Sequence, residues 1–595
     1  MTDIAPKNRK TAFLQALTLF TCVAFGVAMI ANTQLACDGA WFWYATLVHG
    51  GQHLYSDMHV VFQPLFVLET GAWMSLTGNG WLISRGPALF HLIVFSVFVL
   101  LLAWENAWTD LQKAVLTACA FFVCISFEAY RFDDFHVLSD ICTLLALFLL
   151  INLNRNETAH RKLAISLSLG AVTGLAITNR ITDGGALFLG AALGIFCIAI
   201  NRRFLLITAY SMVAIITVAS VVRLTGDSFQ AYIMNTILHA AGPKGGAANV
   251  LTRPFLLPWN SLAYLAMWKP LVIIFLSALV AVSWTFLLKP FSRSNILNST
   301  IKAAIGITVL CVTLYELRLS IKNGEIIVAL SAVLVLAAYG LAVFVAFRLV
   351  RNLLSRDRKV FFNPKQIIVF VPFSLLLAGS LSSAGYHFGL YAPVAILLLV
   401  VPVVLPEFFA RDWIKSCFLA VALLMTASGA WFKAEEPSAW AHYRTFPMFS
   451  NRLVVRHPVY GSMVIDKDLH HFIERTCSVV NTEPNSELLS IPEPYANYYC
   501  AKPPWQGFVQ TFFDTSGKDV IDTLVSKLEQ SPPKWILYQR QLDVLSTHER
   551  LFNNGRRLPH RDLDEFIVKK LRSRQWALVD RQPYLGNDWL LVRTH

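Results

Sequence analysis

The acidic residue best placed for chemistry is Asp38, which follows the first long apolar run of the sequence in the segment CDGAWFWY. A carboxylate at such a boundary can accept a proton from an attacking hydroxyl group, and partial burial makes it a stronger base. Asp is also a favoured N-cap, so Asp38 can instead cap the helix that follows it. One residue can do both, and the sequence leaves both roles open.

A second acidic cluster lies in the segment EAYRFDDFH, where Asp133, Asp134 and His136 are close together and Arg131 stands beside them. Paired carboxylates next to a histidine can coordinate a divalent cation, orient a sugar or hold the arginine. The alternative is a solvated loop in which an acid caps a helix. The cluster predicts a polar site, and its dependence on a metal is open.

Basic residues that can hold an anion occur in three segments, as Arg180 in NRITD, Lys244 in GPKGG and Arg253 in LTRPF. The planar guanidinium group of an arginine suits a phosphate, although an arginine that snorkels from a helix end is equally common. Histidines at the ends of apolar runs are mostly structural. Three further polar candidates for the acceptor side are Tyr55, Asp57 and His387.

The elements that must position these residues are apolar helices. Of the 595 residues, 55% are hydrophobic and only 15% are charged, and the mean hydropathy is +0.53, values typical of a protein that uses a bilayer as solvent. A span needs roughly 20 apolar residues. About thirteen runs qualify, near residues 12–32, 84–104, 112–128, 136–153, 162–179, 183–200, 204–222, 261–288, 301–318, 325–349, 366–383, 389–405 and 415–432.

Charge placement orients these runs. Lys and Arg cluster in alternate connecting segments, most clearly at Asn201-Arg202-Arg203 and in the stretch from Arg351 to Lys359. The positive-inside rule therefore places the N-terminus on the cytoplasmic side of the membrane, which we expect to be a bacterial inner membrane. The same clustering of Lys and Arg explains the net charge of +13 without a nucleic-acid partner. The first run is too long for a signal peptide and lacks a cleavage site, so we expect an uncleaved anchor.

The same count puts four segments outside: a first loop over 32–84, a short turn around Asp133, the segment 223–261 and the C-terminal tail. The first loop contains PLFVLETGAWMSL, which predicts a short helix lying on the membrane. We divide the chain into a membrane domain over 1–432 and a soluble periplasmic domain over 433–595.

The sequence of the tail predicts a small α/β domain. The apolar runs ELLSI, KWILYQ and WALVD predict strands, and DVIDTLVSKLEQ predicts a helix. The closing segment NDWLLVRTH supports an α/β domain rather than a linker. Cys477 and Cys500 both lie in this tail, and in an oxidising compartment they can pair as a disulfide or remain free thiols.

The sequence contains no Walker A motif, Rossmann glycine fingerprint, zinc-type Cys/His spacing or nucleophile elbow. We therefore expect no soluble nucleotide cofactor. An enzyme acting on the outer face without nucleotides needs a donor that the membrane lipid itself carries.

The arrangement resembles the GT-C membrane glycosyltransferases that use polyprenyl-phosphate sugars, the group containing protein mannosyltransferases and aminoarabinose transferases. The resemblance rests on about thirteen spans, an acid in a long first outside loop, a G-x-x-L-Y-x-D-type stretch followed by Pro, and a periplasmic α/β tail. It implies Asp38 as the catalytic base, Asp133 and Asp134 in the same site, and inversion at the anomeric carbon. The leaving phosphate would be stabilised by Arg180, Arg131, Lys244 or Arg253.

The resemblance further implies a glycan, a glycolipid or a protein as the acceptor, and it leaves a divalent cation at Asp133, Asp134 and His136 open, since Asp38 is followed by Gly39 and Ala40 rather than a second acid.

Three rival interpretations remain. The first is a transporter that uses the acids to bind ions or protons, which usually shows broken helices at mid-membrane. The others are a lipid-linked oligosaccharide polymerase or ligase, and a non-catalytic scaffold.

Overall fold

The structure is a computed structural model of the chain. It describes residues 9–32, 40–77, 81–127, 132, 134–155, 158–198, 202–239, 247–287, 296–354, 364–381, 392–435, 439–440, 443–444, 452–457, 461–483, 485–513, 515–553, 555–584 and 587–594.

Helices occupy most of the first 435 residues. In chain order they are α1 (Arg9–Asn32), α2 (Ala40–His49), α3 (Pro64–Thr77), α4 (Trp81–Ala103), α5 (Asp110–Phe127), α6 (Phe135–Arg155), α7 (Ala159–Asn179), α8 (Ile181–Ile198), α9 (Arg203–Leu224), α10 (Phe229–Ile233), α11 (Ala247–Leu265), α12 (Trp268–Leu287), α13 (Ile296–Lys322), α14 (Glu325–Leu354), α15 (Phe370–Leu381), α16 (Ala392–Val404) and α17 (Asp412–Glu435).

Every predicted apolar run is helical over most of its described part, although not always as one continuous helix. Nine helices of the described residues are long and apolar enough to cross a bilayer, or ten if α11 and α12 are counted as one broken span, while the described parts of α15 and α16 are shorter. The predicted fold class, a many-span helical protein followed by an α/β domain, is confirmed.

The structure corrects the sequence prediction for residues 223–288. The prediction was an outside segment followed by one span from residue 261. Instead α11 already begins at Ala247, ends at Leu265, and meets α12 at an angle of 81°. Residues 261–288 are thus divided between two helices rather than forming one straight span.

Small residues bring some of the helices very close together. Ideal Cβ atoms placed on Gly170 and Gly174 of α7 would overlap the backbone or side chains of α9, at Tyr210 and Thr217. This spacing of two small residues four apart is a common packing device of membrane helices, because it lets two backbones approach. The sequence of α7 therefore selects α9 as its neighbour.

Contacts group the connecting segments at two ends of the bundle. At one end the Thr11 hydroxyl donates to Asp110 (2.5 Å) and Arg155 donates to Glu105 (3.0 Å), all in or beside segments predicted to be cytoplasmic. The segments predicted to lie outside contact each other at the other end. The contacts therefore group the segments as the positive-inside prediction does, without fixing which end faces the cytoplasm.

The C-terminal region forms the expected α/β domain. After two short pairs of strands, β1 (Ala439–Trp440) with β2 (Tyr443–Arg444) and β3 (Arg452–His457) with β4 (Gly461–Asp466), the chain continues through α18 (Lys467–Val480), β5 (Leu488–Ile491), α19 (Tyr495–Cys500), α20 (Lys518–Gln530), β6 (Trp535–Arg540), α21 (Leu542–Phe552), α22 (His560–Arg572), β7 (Ala577–Tyr584) and β8 (Asn587–Arg593).

The main sheet has the order β5-β6-β8-β7, with β5 and β6 parallel and the other pairs antiparallel. The three predicted strands (β5, β6 and β7) and the predicted helix α20 are confirmed, and the closing segment forms the fourth strand, β8. A disulfide joins Cys477 of α18 to Cys500 of α19, with 5.0 Å between the two Cα atoms. The pairing that the sequence left open is thus present.

Candidate active site

Six of the eleven predicted site residues lie in the described part of the chain: Asp134, His136, Arg180, Arg253, Tyr55 and Asp57. The other five, Asp38, Arg131, Asp133, Lys244 and His387, lie outside the described residues. Ala40, two residues after Asp38 in the sequence, is the first residue of α2.

Asp134 caps α6. Its Oδ1 atom accepts the backbone N–H of His136 at 2.9 Å and lies 2.7 Å from Nδ1 of the same residue. Both side chains are only partly exposed, 15% for Asp134 and 25% for His136. The alternative of an N-cap is therefore realised here, and it holds a carboxylate and an imidazole together at this end of the bundle.

Arg180 lies in the turn between α7 and α8, beside the start of α6. Its guanidinium group donates to Asp183 at 3.0 Å and lies 6.0 Å from the centre of the Phe135 ring. The neighbouring Asn179 is 3% exposed and donates to the Phe135 carbonyl (2.7 Å) and to the Ser139 hydroxyl (2.9 Å). These contacts fix the turn to α6 and bring Arg180 to the helix end that carries Asp134.

An aromatic cluster ties the same helix end to the first outside loop. The ring of Trp41, in α2, lies 4.8 Å from Phe62, 5.3 Å from Phe66 and 5.5 Å from Phe135. The helix that follows Asp38 is therefore packed directly against the start of α6. Segments that are about a hundred residues apart in the sequence meet here.

Tyr55 and Asp57 hold the first loop in shape. Tyr55 is 4% exposed, its hydroxyl donates to the Phe62 carbonyl at 2.9 Å, and burial raises its pKa well above the usual value, with Tyr232 and Asp227 adding to the effect. Asp57 accepts the backbone N–H of His53 at 2.7 Å. Neither contact tests the acceptor-side roles predicted for these two residues.

Asp227, which the sequence reasoning missed, joins the first loop to the segment after α9. It is 2% exposed, and its carboxylate accepts the backbone N–H groups of Tyr55 and Ser56 (3.0 Å each) and the Ser56 hydroxyl (2.8 Å). A buried carboxylate with three donors is well satisfied. The only sequence signal was an acid shortly after the end of an apolar run.

A contact between Glu69 and the buried His91 was also missed. His91 is fully buried in α4; its Nδ1 atom lies 2.8 Å from the Phe132 carbonyl oxygen and its Nε2 atom 3.0 Å from Glu69 of α3. Because a carbonyl oxygen only accepts, Nδ1 donates to Phe132, and Nε2 faces the Glu69 carboxylate. An ionisable residue inside an apolar run was the available signal.

Arg253 lies in α11 and is 4% exposed. Its helix packs against α14 and α15, where the Tyr339 hydroxyl donates to the carbonyl of the next residue, Pro254, at 2.6 Å. The described contacts therefore place Arg253 in a helix-packing layer, and none of the contacts described above joins it to the Asp134 and Arg180 group.

The soluble domain packs on the first outside loop. Tyr498 stacks on Phe42 with 6.0 Å between ring centres, and Val509 belongs to the buried cluster formed by α2 and Tyr55. Nε2 of His59 lies 3.4 Å from the Thr515 carbonyl, and burial lowers the pKa of His59. The membrane domain and the soluble domain therefore share one buried interface at this end of the bundle.

No family model matches the chain, and no curated protein sequence matches it. Among solved structures, the chain is similar to ArnT from Cupriavidus metallidurans in the apo state, with 11% sequence identity, a TM-score of 0.44 and 98% of each chain covered. It is also similar to ArnT from Cupriavidus metallidurans bound to undecaprenyl phosphate, with 12% identity and a TM-score of 0.40, over 98% of this chain and 97% of that one.

Proposed function

We propose that this protein is an integral membrane glycosyltransferase that transfers a sugar from a polyprenyl-phosphate donor to an acceptor on the periplasmic face. The acceptor is a glycan, a glycolipid or a protein. The observation that carries the proposal is the meeting of the Arg180 turn, the capped start of α6 and the aromatic cluster of α2 at one end of an apolar bundle.

The arrangement suits a lipid phosphate for electrostatic reasons. Arg180 offers five N–H donors, and its contact with Asp183 uses one of them. Its side chain is 18% exposed, so a phosphate can reach it in a partly desolvated position, where the attraction between opposite charges is stronger than in water. The apolar helices beneath Arg180 offer an apolar surface along which the polyprenyl chain can lie.

In the proposed reaction Asp38 removes the proton of an acceptor hydroxyl as its oxygen attacks the anomeric carbon. A carbon–oxygen bond to the acceptor forms on one face while the bond to the phosphate oxygen breaks on the other, so the configuration inverts. Polyprenyl phosphate leaves with the bonding electron pair, and Arg180 stabilises its charge. Asp133 and Asp134 complete the acidic side of the site.

The remaining predicted residues take supporting roles in this proposal. Arg131, Lys244 and Arg253 are additional cations for the leaving phosphate. His136, Tyr55, Asp57 and His387 belong to the acceptor side, where Tyr55 and Asp57 act by shaping the first loop.

A divalent cation would need ligands from Asp133, Asp134 and His136. Within the described residues no group of three His, Cys, Asp or Glu side chains is arranged to hold a metal ion. The Oδ1 atom of Asp134 is already engaged by two groups of His136. No step of the proposed reaction is routed through a metal.

The proposal is tested with purified protein in nanodiscs and a panel of polyprenyl-phosphate sugars, with release of polyprenyl phosphate as the readout. Asp38→Asn removes the base and should lower the turnover rate at least about a hundredfold, the scale of general base catalysis. Asp412→Asn is the matched control, because this exposed acid pairs with Lys415 at the start of α17 and should keep full turnover.

Three outcomes would contradict the proposal. If the Asp38→Asn variant folds and releases polyprenyl phosphate at the wild-type rate, Asp38 is not the catalytic base. If the wild-type protein releases polyprenyl phosphate from none of the donors in the panel, the proposed activity is wrong. Uptake of substrate into liposomes that contain the protein, without release of polyprenyl phosphate, would favour the transporter.

A further inference from the structure

The soluble domain packs one aromatic ring directly on the helix that follows Asp38. That ring belongs to Tyr498 of α19, which stacks on Phe42 of α2 with 6.0 Å between ring centres and 29° between ring planes. Tyr498 is 1% exposed and Phe42 is 5% exposed, so solvent is excluded from the pair. Aromatic rings at this separation attract each other beyond the effect of their buried area. The pair therefore forms a specific packed contact between the two domains.

A second contact holds the same turn of α2 from another direction. Trp41, the residue before Phe42, packs on Phe135 at the start of α6, with 5.5 Å between ring centres. Adjacent positions of a helix point about 100° apart. A contact in one direction would leave α2 free to roll about its axis, whereas contacts in two directions fix that rotation. The membrane domain and the soluble domain thus fix α2 together.

Burial along α2 is concentrated at the end nearest to Asp38. The residues from Ala40 to Ala45 are each 8% exposed or less, whereas His49 at the other end of the helix is exposed. Packing therefore holds the first turn of α2 more firmly than the last. Asp38 leads directly into that first turn in the sequence. A proton-accepting group needs such support, because a misplacement of about 1 Å can cost about a hundredfold in rate.

The soluble domain holds Tyr498 in a rigid frame. The neighbouring side chain of Asn497 is 0% exposed; it donates to the Leu488 carbonyl at 3.0 Å and accepts the Ser490 N–H at 3.2 Å, which ties α19 to β5. Two residues after Tyr498, Cys500 joins α19 to α18 through the disulfide. Tyr498 is thus supported from both sides, and its ring can resist a displacement of α2.

Further contacts fix the soluble domain on the first outside loop. An ideal Cβ atom on Gly507 would lie 2.7 Å from the Asp57 carbonyl oxygen, so the two backbones approach as closely as a glycine allows. The Thr515 carbonyl lies 3.4 Å from Nε2 of His59 in the same loop. Because these contacts lie beyond α2 in the chain, the domain is held at several points of the loop and keeps Tyr498 in register with Phe42.

We propose that Tyr498 is a positioning residue of the transferase, which holds Phe42 and thereby orients the first turn of α2 and Asp38 toward the acceptor hydroxyl. This inference rests on the function proposed above, and it gives the soluble domain a part in the transfer step. Tyr498 acts through Phe42 and not on the reacting atoms. A domain that only recruits a substrate changes KM, whereas one that positions the base changes kcat.

The test uses the full chain in nanodiscs and two measurements: release of polyprenyl phosphate at varied donor concentration, and amide hydrogen exchange of α2 by mass spectrometry. Tyr498→Leu removes the ring. It should lower kcat about tenfold or more and leave KM for the donor within about twofold. It should also speed exchange of α2 about fivefold or more, since the helix loses one of its two supports. Tyr498→Phe keeps the ring and should restore both values.

Phe472→Leu is the matched control. Phe472 is 0% exposed in α18 and packs on Trp589 inside the soluble domain, with 6.0 Å between ring centres. Its loss should lower the melting temperature of the soluble domain, as the loss of Tyr498 does, but should leave kcat and the exchange of α2 unchanged. All variants are compared below the lowest melting temperature of the set.

Three results would overturn the inference: wild-type exchange of α2 in Tyr498→Leu, wild-type kcat in Tyr498→Leu, or an equal fall of kcat in Phe472→Leu. The first two, with normal release by wild type, refute this inference alone. If wild type releases polyprenyl phosphate from no donor but Tyr498→Leu still speeds the exchange of α2, the transferase activity is refuted and the hold of the soluble domain on α2 stands.

Discussion

We predict opposite effects for the same substitution, Gly to Ala, at the two adjacent glycines Gly184 and Gly185 near the start of α8. A Cβ atom on Gly184 would overlap the backbone N and Cα of Ile177 and lie 2.5 Å from the carbonyl carbon of Ala176, whereas a Cβ on Gly185 has nothing within 4 Å. We expect Gly184→Ala to destabilise the protein and Gly185→Ala to be neutral or slightly stabilising.

The magnitude follows from the distances. Carbon atoms in contact are about 3.5 Å apart, so the new methyl group overlaps the α7 backbone by about 1 Å, and no side-chain rotation can relieve a clash with backbone atoms. Overpacking of this kind costs about 1–3 kcal/mol. Replacing Gly by Ala inside a helix returns about 0.5–1 kcal/mol, so Gly184→Ala should lose about 1–2 kcal/mol and Gly185→Ala should lose nothing.

The same clash should reach the proposed active site. Gly184 follows Asp183, which holds Arg180, so moving α8 away from α7 by about 1 Å also moves the guanidinium group. A displacement of that size in a catalytic site can cost about a hundredfold in rate. Thermal unfolding of the two variants in the same detergent, followed by donor turnover below the melting temperature, measures both effects.

If Gly184→Ala melts at or above the temperature of Gly185→Ala, the close packing of α7 on α8 described here is wrong. If Gly184→Ala melts lower but turns over its donor at the wild-type rate, the packing is right and the place of Arg180 beside the reacting phosphate is wrong.

Three further predictions concern single groups. Arg180→Lys keeps the charge but loses the two-pronged donor geometry, so kcat/KM for the lipid donor should fall about tenfold or more, and Arg180→Gln should fall further, as measured by phosphate release; equal values for both variants and wild type would remove Arg180 from the site. Burial lowers the pKa of His59 from its ordinary 6.5, and Asp519 and His239 also face this side chain. As the pH falls, the unfolded chain therefore binds a proton at this histidine before the folded chain does, and the stability of the protein should drop below about pH 6.5. Thermal melts of His59→Gln should lack this pH-dependent loss of stability, and identical pH profiles for the variant and wild type would contradict the prediction. The Cys477–Cys500 disulfide closes a loop with a sequence separation of 23, so Cys477→Ser with Cys500→Ser should cost the soluble domain about 3 kcal/mol in chemical unfolding, against no loss for Cys197→Ser in the membrane domain.

Hydropathy predicted the helices well because a bilayer imposes a length and a composition on every span. It failed at α11 and α12, since a window of apolar residues does not show where two helices meet at an angle. The acidic segment was also recognised from the sequence, together with the alternative that an acid there caps a helix, as Asp134 does. What could not be predicted is pairing across distance: the Asp227 carboxylate finds Ser56 171 residues away, and no local spacing encodes that partner.

The Glu69 and His91 pair shows how such a distant contact bears on the proposed reaction. Nδ1 of His91 donates to the carbonyl of Phe132, the residue that directly precedes Asp133 in the sequence. Phe132 is itself 1% exposed, so the chain is held at that point by both packing and a hydrogen bond. Two residues later Asp134 caps α6, and the next turn of that helix is tied to Asn179 beside Arg180. The chain is therefore held before Asp133 by His91 and after it by Asn179, two residues that have no role in the proposed chemistry. The geometry of the proposed site depends on such residues, which no sequence motif marks.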